Sequence, residues 1–128
     1  MHILFIGYGK TSQRVAKQLF TLGHQITTIS RSPKTDPDMT HLLQDIQQLD
    51  LSQIQPVDAA YVLLAPSRDT ALSSIEAYQQ TYVDSVQPIV AALKDHPVKR
   101  IIVVSSTRVY GENAGECIDD DTVPKPND

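Results

Sequence analysis

Short apolar runs along the chain alternate with segments in which apolar residues recur at every third or fourth position. The runs HILFIG (2–7), AAYVLLAP (59–66) and RIIVVSS (100–106) are continuous and rich in Ile and Val, which is typical of parallel strands buried on both faces. QITTIS (25–30) is more polar and predicts a strand nearer the edge of a sheet. DIQQLDL (45–51) is the weakest of the predicted strands.

Two helices are predicted between the first three strands. Residues 11–22 place apolar side chains on one face, and Gly23 follows where the C-terminus of a helix favours glycine. Over 36–44, Asp36 can cap a helix and Pro37 can occupy its first position.

A longer helix is predicted over 70–95, with a kink near 84–87 because Pro88 lacks a backbone N–H. Strands therefore alternate with helices along the chain, which is the pattern of an α/β fold with a parallel sheet. Because crossover connections between parallel strands are right-handed, we predict a doubly wound, Rossmann-type sheet whose five strands lie in the order 3-2-1-4-5.

Composition narrows the environment and the partners of the chain. Its 128 residues suit one domain. The net charge of -4 and the scattered Lys and Arg residues argue against nucleic acid or an anionic membrane as a partner, because both need a basic surface. The single cysteine, Cys117, excludes a disulfide within the chain and fits a reducing compartment. Since neither a signal peptide nor a membrane-length apolar run is recognisable, the expected location is cytoplasmic.

The turn after the first predicted strand carries candidate chemistry. GYGKTS (7–12) matches the pattern G-x-G-x-x-small, in which the free N–H groups at the start of a helix bind the pyrophosphate of a dinucleotide. Gly7 allows the tight turn, Gly9 lets the backbone approach the anion, and Ser12 is small enough for close packing of helix and strand. The alternative is that both glycines serve turn geometry alone. The predicted cofactor contacts of this turn are Gly7, Gly9, Lys10, Thr11 and Ser12.

The end of the second predicted strand bears on the choice of cofactor. In dinucleotide-binding sheets an Asp or Glu about 20 residues after the glycines holds the adenosine ribose, whereas an Arg nearby suits the 2′-phosphate of NADP. Here the acidic residue is missing and Arg31 is in place, and Ser30, Ser32 and Lys34 can also serve as ligands of the phosphate. Because guanidinium binds phosphate through paired, charge-assisted hydrogen bonds, NADP(H) is the predicted cofactor and NAD(H) the second choice. The alternative is a solvated surface Arg31.

The segment SSTRVYG (105–111) points to a family. The chain resembles the extended and atypical short-chain dehydrogenase/reductases, the NAD(P)-dependent epimerase/dehydratase group, from Met1 to about Pro126, most specifically in IIVVSSTRVYGENAGECIDDDTVPKP. The group more commonly carries G-x-x-G-x-x-G in its first turn, which places this chain in an atypical branch. The resemblance implies two further pairs of cofactor contacts. Asp50 and Leu51 would lie beside the adenine, and Ala65 and Pro66 would lie beside the nicotinamide ribose.

The resemblance also assigns a catalytic role. Ser106 matches the hydroxyl that hydrogen-bonds the substrate carbonyl or alcohol in this group. The tyrosine and lysine of the group, spaced Tyr-x-x-x-Lys, do not occur: Tyr110 belongs to the Val-Tyr-Gly turn, and Ala114 stands four residues after it. We also expect this chain to end before the sixth strand and the C-terminal substrate domain of the group. We therefore expect 1–106 to form an NAD(P)-binding Rossmann domain, 107–128 to be a loop on its active-site side, and the chain to be a fragment without turnover.

Other expectations concern partners and competing functions. In the resembled group the helix before strand five pairs between subunits, which predicts a homo-oligomer that forms through 70–95. The expected substrate is an unknown small molecule. The histidines are dispersed along the sequence, which predicts no metal site. One alternative is a non-enzymatic, nucleotide-sensing domain of the kind that regulates potassium transport, which shares GYG but usually has an acidic residue where Ser30-Arg31 stands. A cofactor domain of the β-hydroxyacid dehydrogenase type fits only 1–34.

Overall fold

Five parallel strands form one sheet in the computed structural model, which describes residues 1–66, 71–105, 111 and 114–125. The strands are β1 (His2–Ile6), β2 (Gln25–Ser30), β3 (Thr40–Leu43), β4 (Val57–Val62) and β5 (Val98–Val103). The helices are α1 (Lys10–Thr21), α2 (Ser74–Tyr78) and α3 (Val86–Lys94), with a 3-10 helix at Ile46–Gln48 and a π-helix at Gln79–Asp84. The strands lie in the order β3-β2-β1-β4-β5, so the predicted Rossmann-type topology is confirmed.

β1 lies at the centre of the sheet and is buried along its whole length. Because side chains alternate between the faces of a strand, neighbouring residues of β1 enter different core clusters. Leu4 packs in a cluster that includes Ile89 of α3, and Phe5 in a cluster that includes Ala16 of α1. Helices therefore cover both faces of β1, as its continuous apolar sequence predicts.

β2 lies between the central strand β1 and the edge strand β3, nearer the edge as its polar sequence predicts, but it is still an interior strand. Thr27 and Thr28 are both buried. The Thr27 Oγ1 atom lies 2.7 Å from His2 Nε2, and the Thr28 Oγ1 atom lies 2.6 Å from His41 Nδ1. Each hydroxyl thus has a histidine partner, so the strand buries polar side chains without leaving them unsatisfied.

The predicted helix over 36–44 and the predicted strand over 45–51 are both wrong. β3 replaces the second half of that helix, and the 3-10 helix occupies three of the seven residues of the predicted strand. The Asp-Pro pair forms a turn instead, in which the Asp36 carboxylate accepts a hydrogen bond from the backbone N–H of Asp38. Asp favours turns for the same reason that it favours helix N-termini, since its carboxylate accepts nearby backbone hydrogen bonds.

β5 forms the outer edge of the sheet. The sequence predicts that its side chains are buried on both faces, and this prediction is wrong. The side chains of Ile101 and Val103 are 50% and 68% exposed. Within the described ranges, no strand pairs with the outer edge of β5. The apolar sequence therefore marks a surface that the described residues leave uncovered.

The segment predicted as one kinked helix consists of three helical pieces. α2 begins with a capping box in which the Ser73 hydroxyl and the Glu76 carboxylate each accept a backbone hydrogen bond from the other residue. The π-helix follows, and α3 begins after Ser85. This junction falls within the predicted 84–87, where Pro88 offers no N–H to the carbonyl oxygen four residues earlier. The π-helix itself was not predicted.

Candidate functional site

The turn between β1 and α1 begins with a glycine that the fold requires. Gly7 has a φ of +93°, in the left-handed region that side chains disfavour. A Cβ at this position would lie 2.1 Å from the carbonyl oxygen of Leu63, which follows β4. The Gly7 N–H donates to the Ile29 carbonyl at 3.0 Å, so the turn is also fastened to β2. Gly7 therefore sits where the ends of β1, β2 and β4 meet.

The second glycine of the turn faces open space. Gly9 is the N-cap of α1 with a φ of -84°, which any residue can adopt, and a Cβ there would meet nothing within 4 Å. The first intrahelical hydrogen bond at this end runs from the Gln13 N–H to the Gly9 carbonyl. No side chain caps the helix, and its first turn has no acidic residue. The backbone N–H groups there suit an anion, which the helix dipole also favours.

The other residues of the turn differ in their exposure. Lys10 and Thr11 are exposed, so their side chains can reach a ligand. Ser12 is fully buried, as expected of a small residue packed between helix and strand, and its hydroxyl has no hydrogen-bond partner in the structure. A buried hydroxyl without a partner costs about 1–3 kcal/mol. Ser12 thus fills the close-packed position at an energetic cost that glycine would avoid.

The residues after β2 lie at the same edge of the sheet, beside the turn. Arg31 and Ser32 are exposed, and Lys34 is half-buried. The Ser30 hydroxyl donates to the Ser32 carbonyl at 2.8 Å, so its proton is already used within the protein. Among the described residues, no hydrogen bond or ion pair engages the Arg31 side chain. Arg31 is therefore an exposed cation of this segment that is free to bind a ligand.

Asp50 and Leu51 follow β3 and the 3-10 helix. Asp50 exchanges two hydrogen bonds with the Gln44 side chain, which follows β3. Its carboxylate accepts a hydrogen bond from Ser52 at 2.9 Å, and hydrogen bonds from that residue hold the pKa of Asp50 below its usual value. Leu51 is buried in the α3-side core cluster. Of this predicted pair, only Asp50 presents a side chain at the surface.

The last two groups of predicted contacts follow β4 and β5. The Leu63 N–H donates to the Ile6 carbonyl, so the chain after β4 continues beside β1. Ala65, which is exposed, and Pro66, which is half-buried, come next at this edge. The predicted catalytic Ser106 lies outside the described residues. The edge described here joins the ends of β1, β2 and β4, which is where ligands bind in open parallel sheets.

Tyr8, between the two glycines, has a role that the sequence analysis did not assign. Its ring is buried and packs near Phe5, and its hydroxyl donates to the Met39 sulfur at 3.0 Å. Burial, followed by the negative charge of Asp36, raises the pKa of Tyr8. A glycine motif draws attention to the small residues, so nothing in its pattern indicates the buried contact of the residue between them.

An apolar groove lies on the other side of β4, outside the predicted site. It has a volume of about 400 Å³ and runs between α3, the π-helix and β5. Val62, Leu64, Val86, Ile89 and Ile101 are among its lining residues.

In the described part of the chain, no helix is long and apolar enough to cross a membrane. The described residues also contain no group of three or more His, Cys, Asp or Glu side chains that could hold a metal ion.

Comparison with known proteins gives a family and a set of similar folds. Residues 7–124 match the model of a family described as NAD(P)H-binding, whereas no curated protein matches the chain. A UDP-glucuronic acid 4-epimerase from Bacillus cereus, solved with UDP-4-deoxy-4-fluoro-glucuronic acid and NAD, is 24% identical with a TM-score of 0.77. MoeE5 in complex with UDP-glucose and NAD is 22% identical with a TM-score of 0.80, and a UDP-galactose 4-epimerase is 18% identical with a TM-score of 0.79.

These similarities extend over nearly all of this chain but over less than half of the others. The three comparisons cover 98% of this chain and 46%, 43% and 45% of the chains compared. At such low identities they establish the fold, and the resemblance to the epimerase/dehydratase group is confirmed at that level. Two of the three structures are described as complexes with NAD, so the comparisons give no support to NADP in particular.

Proposed function

Because the chain belongs to the NAD(P)H-binding family, we propose that it binds NADP(H) at the edge of the sheet where β1, β2 and β4 end. The observation that carries this proposal is the contrast between the two glycines of the turn. Gly7 is enclosed by Leu63 and is required by the fold, whereas Gly9 borders open space. The absence of a side chain at Gly9 does nothing for packing, and it keeps the N-terminus of α1 accessible to a ligand.

The pyrophosphate fits the start of α1. The backbone N–H groups that lack intrahelical partners point to this space, and the helix dipole stabilises negative charge there by about 0.3–1 kcal/mol. Lys10 and Thr11 are exposed beside it. From this point the adenosine half would extend across the end of β2 towards Arg31 and Asp50. The nicotinamide half would extend across the end of β4 towards Ala65.

The preference for NADP(H) rests on Arg31. This residue follows the interior strand β2, is exposed, and has no partner among the described residues. No carboxylate occupies 30–34, so nothing there repels a 2′-phosphate or selects the ribose diol. Charge-assisted hydrogen bonds from a guanidinium are worth about 1.5–3 kcal/mol, which corresponds to roughly tenfold to a hundredfold in affinity.

We extend the proposal to the protein of which this domain would be part. Residues 1–106 would be the cofactor domain and 107–128 a segment on its active-site side, in an epimerase-, dehydratase- or reductase-type enzyme acting on a small molecule. The similar structures solved with UDP-sugars make a nucleotide sugar the first substrate class to test. Bound NADP(H) supplies hydride chemistry, and Ser106 would orient the substrate. No Tyr-x-x-x-Lys pair occurs in 1–128, so the chain has no counterpart of the group's proton-transferring pair.

A fluorescence titration with NADPH and NADH tests the proposal. We expect the unmodified chain to bind NADPH at least about tenfold more tightly, since one charged hydrogen bond gives that difference. Arg31→Asp should remove or invert the preference. Arg100→Asp makes the same charge change at an exposed position of β5 and should leave both affinities unchanged. Equal binding of NADH would refute the cofactor preference, and binding of neither dinucleotide would refute the function.

A further inference from the structure

Tyr8 connects the pyrophosphate turn to the segment between β2 and β3. Its backbone lies between Gly7 and Gly9, and its buried hydroxyl reaches Met39, one residue before β3. Its ring centroid lies 5.4 Å from that of His41. The residue between the two motif glycines therefore contacts the end of the 31–39 segment, which carries Arg31 near its beginning.

His41 holds the same segment at its middle. Its Nε2 atom lies 3.0 Å from the Asp36 carbonyl oxygen, and its Nδ1 atom lies 2.6 Å from the Thr28 hydroxyl. A carbonyl oxygen only accepts, so Nε2 donates, and in the neutral ring Nδ1 accepts from Thr28. Because Thr28 is fully buried in β2, the Asp36 carbonyl is fastened through His41 to the interior of the sheet.

These contacts hold Asp36 and Met39 in the second half of the 31–39 segment and leave the Arg31 side chain free. The position of the guanidinium relative to Gly9 consequently depends on how the segment is held. We propose that Tyr8 and His41 are positioning residues, which set the distance from the pyrophosphate turn to Arg31 and thereby determine selectivity for a dinucleotide that carries a 2′-phosphate. This inference rests on the proposed function and assigns its selectivity to two residues that need not touch the cofactor.

A purely structural role for these residues predicts a different result. A packing defect would lower stability, or would weaken NADPH and NADH binding alike, because both cofactors share the pyrophosphate turn. A displaced 31–39 segment would weaken the contact to the 2′-phosphate alone. The ratio of the two affinities therefore separates positioning from packing.

The test uses two perturbations and one matched control. Tyr8→Phe removes only the hydroxyl that reaches Met39. The double variant Thr28→Val, His41→Phe removes the hydrogen bonds to Asp36 and to the buried threonine together, so that no buried hydroxyl is left unsatisfied. Tyr61→Phe is the control, because Tyr61 stacks on Phe5 at 5.1 Å on the same face of the sheet, and no hydrogen bond to its hydroxyl is present in the described structure.

We expect each perturbation to lower the NADPH-to-NADH affinity ratio about fivefold, the effect of one ordinary hydrogen bond, with NADH affinity unchanged within about twofold. Tyr61→Phe should leave the ratio unchanged. In an Arg31→Ala background, Tyr8→Phe should have no further effect on the ratio, because the group being positioned is gone.

The possible failures can be told apart. If the unmodified chain prefers NADPH but neither perturbation changes the ratio, the positioning role is refuted while the proposed function stands. If Tyr8→Phe lowers the ratio equally with and without Arg31, the positioning of Arg31 is also refuted. An unmodified chain that binds NADPH no better than NADH refutes the cofactor preference and, with it, this inference.

Discussion

The two glycines of the turn should respond in opposite ways to the same substitution. In Gly7→Ala the new Cβ would lie 2.1 Å from the Leu63 carbonyl oxygen, on a backbone with a φ of +93°. A strained backbone conformation and an overpacked contact each cost about 1–3 kcal/mol. Since both apply here, we expect the free energy of unfolding to fall by about 3 kcal/mol or more. For a domain of this size, such a loss lowers Tm by roughly 10 °C.

Gly9→Ala should leave the free energy of unfolding nearly unchanged. The backbone φ of -84° suits alanine, and its Cβ would meet nothing within 4 Å. Restricting the unfolded chain stabilises by about 0.4–1 kcal/mol, and the poorer N-cap preference of alanine offsets a similar amount. The larger Gly9→Val variant should place a branched side chain in the space assigned to the pyrophosphate. We expect it to weaken NADPH binding at least about tenfold, more than the loss of one neutral hydrogen bond.

Urea unfolding followed by circular dichroism measures the first effect, and an NADPH titration measures the second. Gln18→Val places the same side chain at an exposed position of α1 and should leave NADPH affinity unchanged. A Gly7→Ala chain that unfolds at the same urea concentration as the unmodified chain would refute the steric argument. A Gly9→Val chain that binds NADPH normally would refute the placement of the pyrophosphate, whatever its stability.

Three further outcomes are expected. Hydrogen bonding from the His2 N–H and the Lys99 ammonium lowers the pKa of Asp58, so the carboxylate stabilises the fold above its unfolded pKa, and this stabilisation is lost as pH falls through the lower folded pKa. In Asp58→Asn the urea midpoint should therefore depend less on pH below about pH 4. A pH profile of the urea midpoint equal to that of the unmodified chain would contradict this. Exposed apolar side chains on α3 predict self-association, so sedimentation should show a dimer or larger assembly that Val90→Glu dissociates, whereas a monomer of the unmodified chain at high micromolar concentration would contradict it. Purified 1–128 should not sustain NADPH oxidation with a carbonyl panel, and Ser106→Ala should retain NADPH affinity; turnover that disappears in Ser106→Ala would show a complete active site.

Local sequence patterns were sufficient for most of the sheet and failed between β2 and β4. β1 and β4 follow from apolar runs, because burial on both faces leaves a signal within a few residues. β3 has no such signal: His41 is paired with Thr28 on the neighbouring strand, and Met39 is buried under Tyr8. Both contacts cross between segments, whereas the Asp-Pro pair before them is local and compatible with a turn or a helix.

The candidate site divides in the same way. The spacing of Gly7 and Gly9 identified the turn, because a tight turn and an open helix N-terminus are local requirements. The buried, unpartnered hydroxyl of Ser12 and the burial of Leu51 depend on what packs around them, which spacing does not encode. The Ser30 hydroxyl was predicted as a phosphate ligand, yet its proton is used in its own turn.

The position of Tyr8 changes where residues that determine cofactor selectivity should be sought. In a G-x-G turn the intervening residue is usually treated as a spacer, since only its backbone passes the anion. Here the side chain of Tyr8 packs into the core, and its hydroxyl contacts Met39 in the segment that follows β2. Two regions far apart in sequence, the turn at 7–12 and the segment 31–39, therefore share a buried contact. If the proposed positioning role holds, a substitution at Tyr8 will alter the choice between NADPH and NADH without touching either ribose, and a search confined to the end of β2 would miss it.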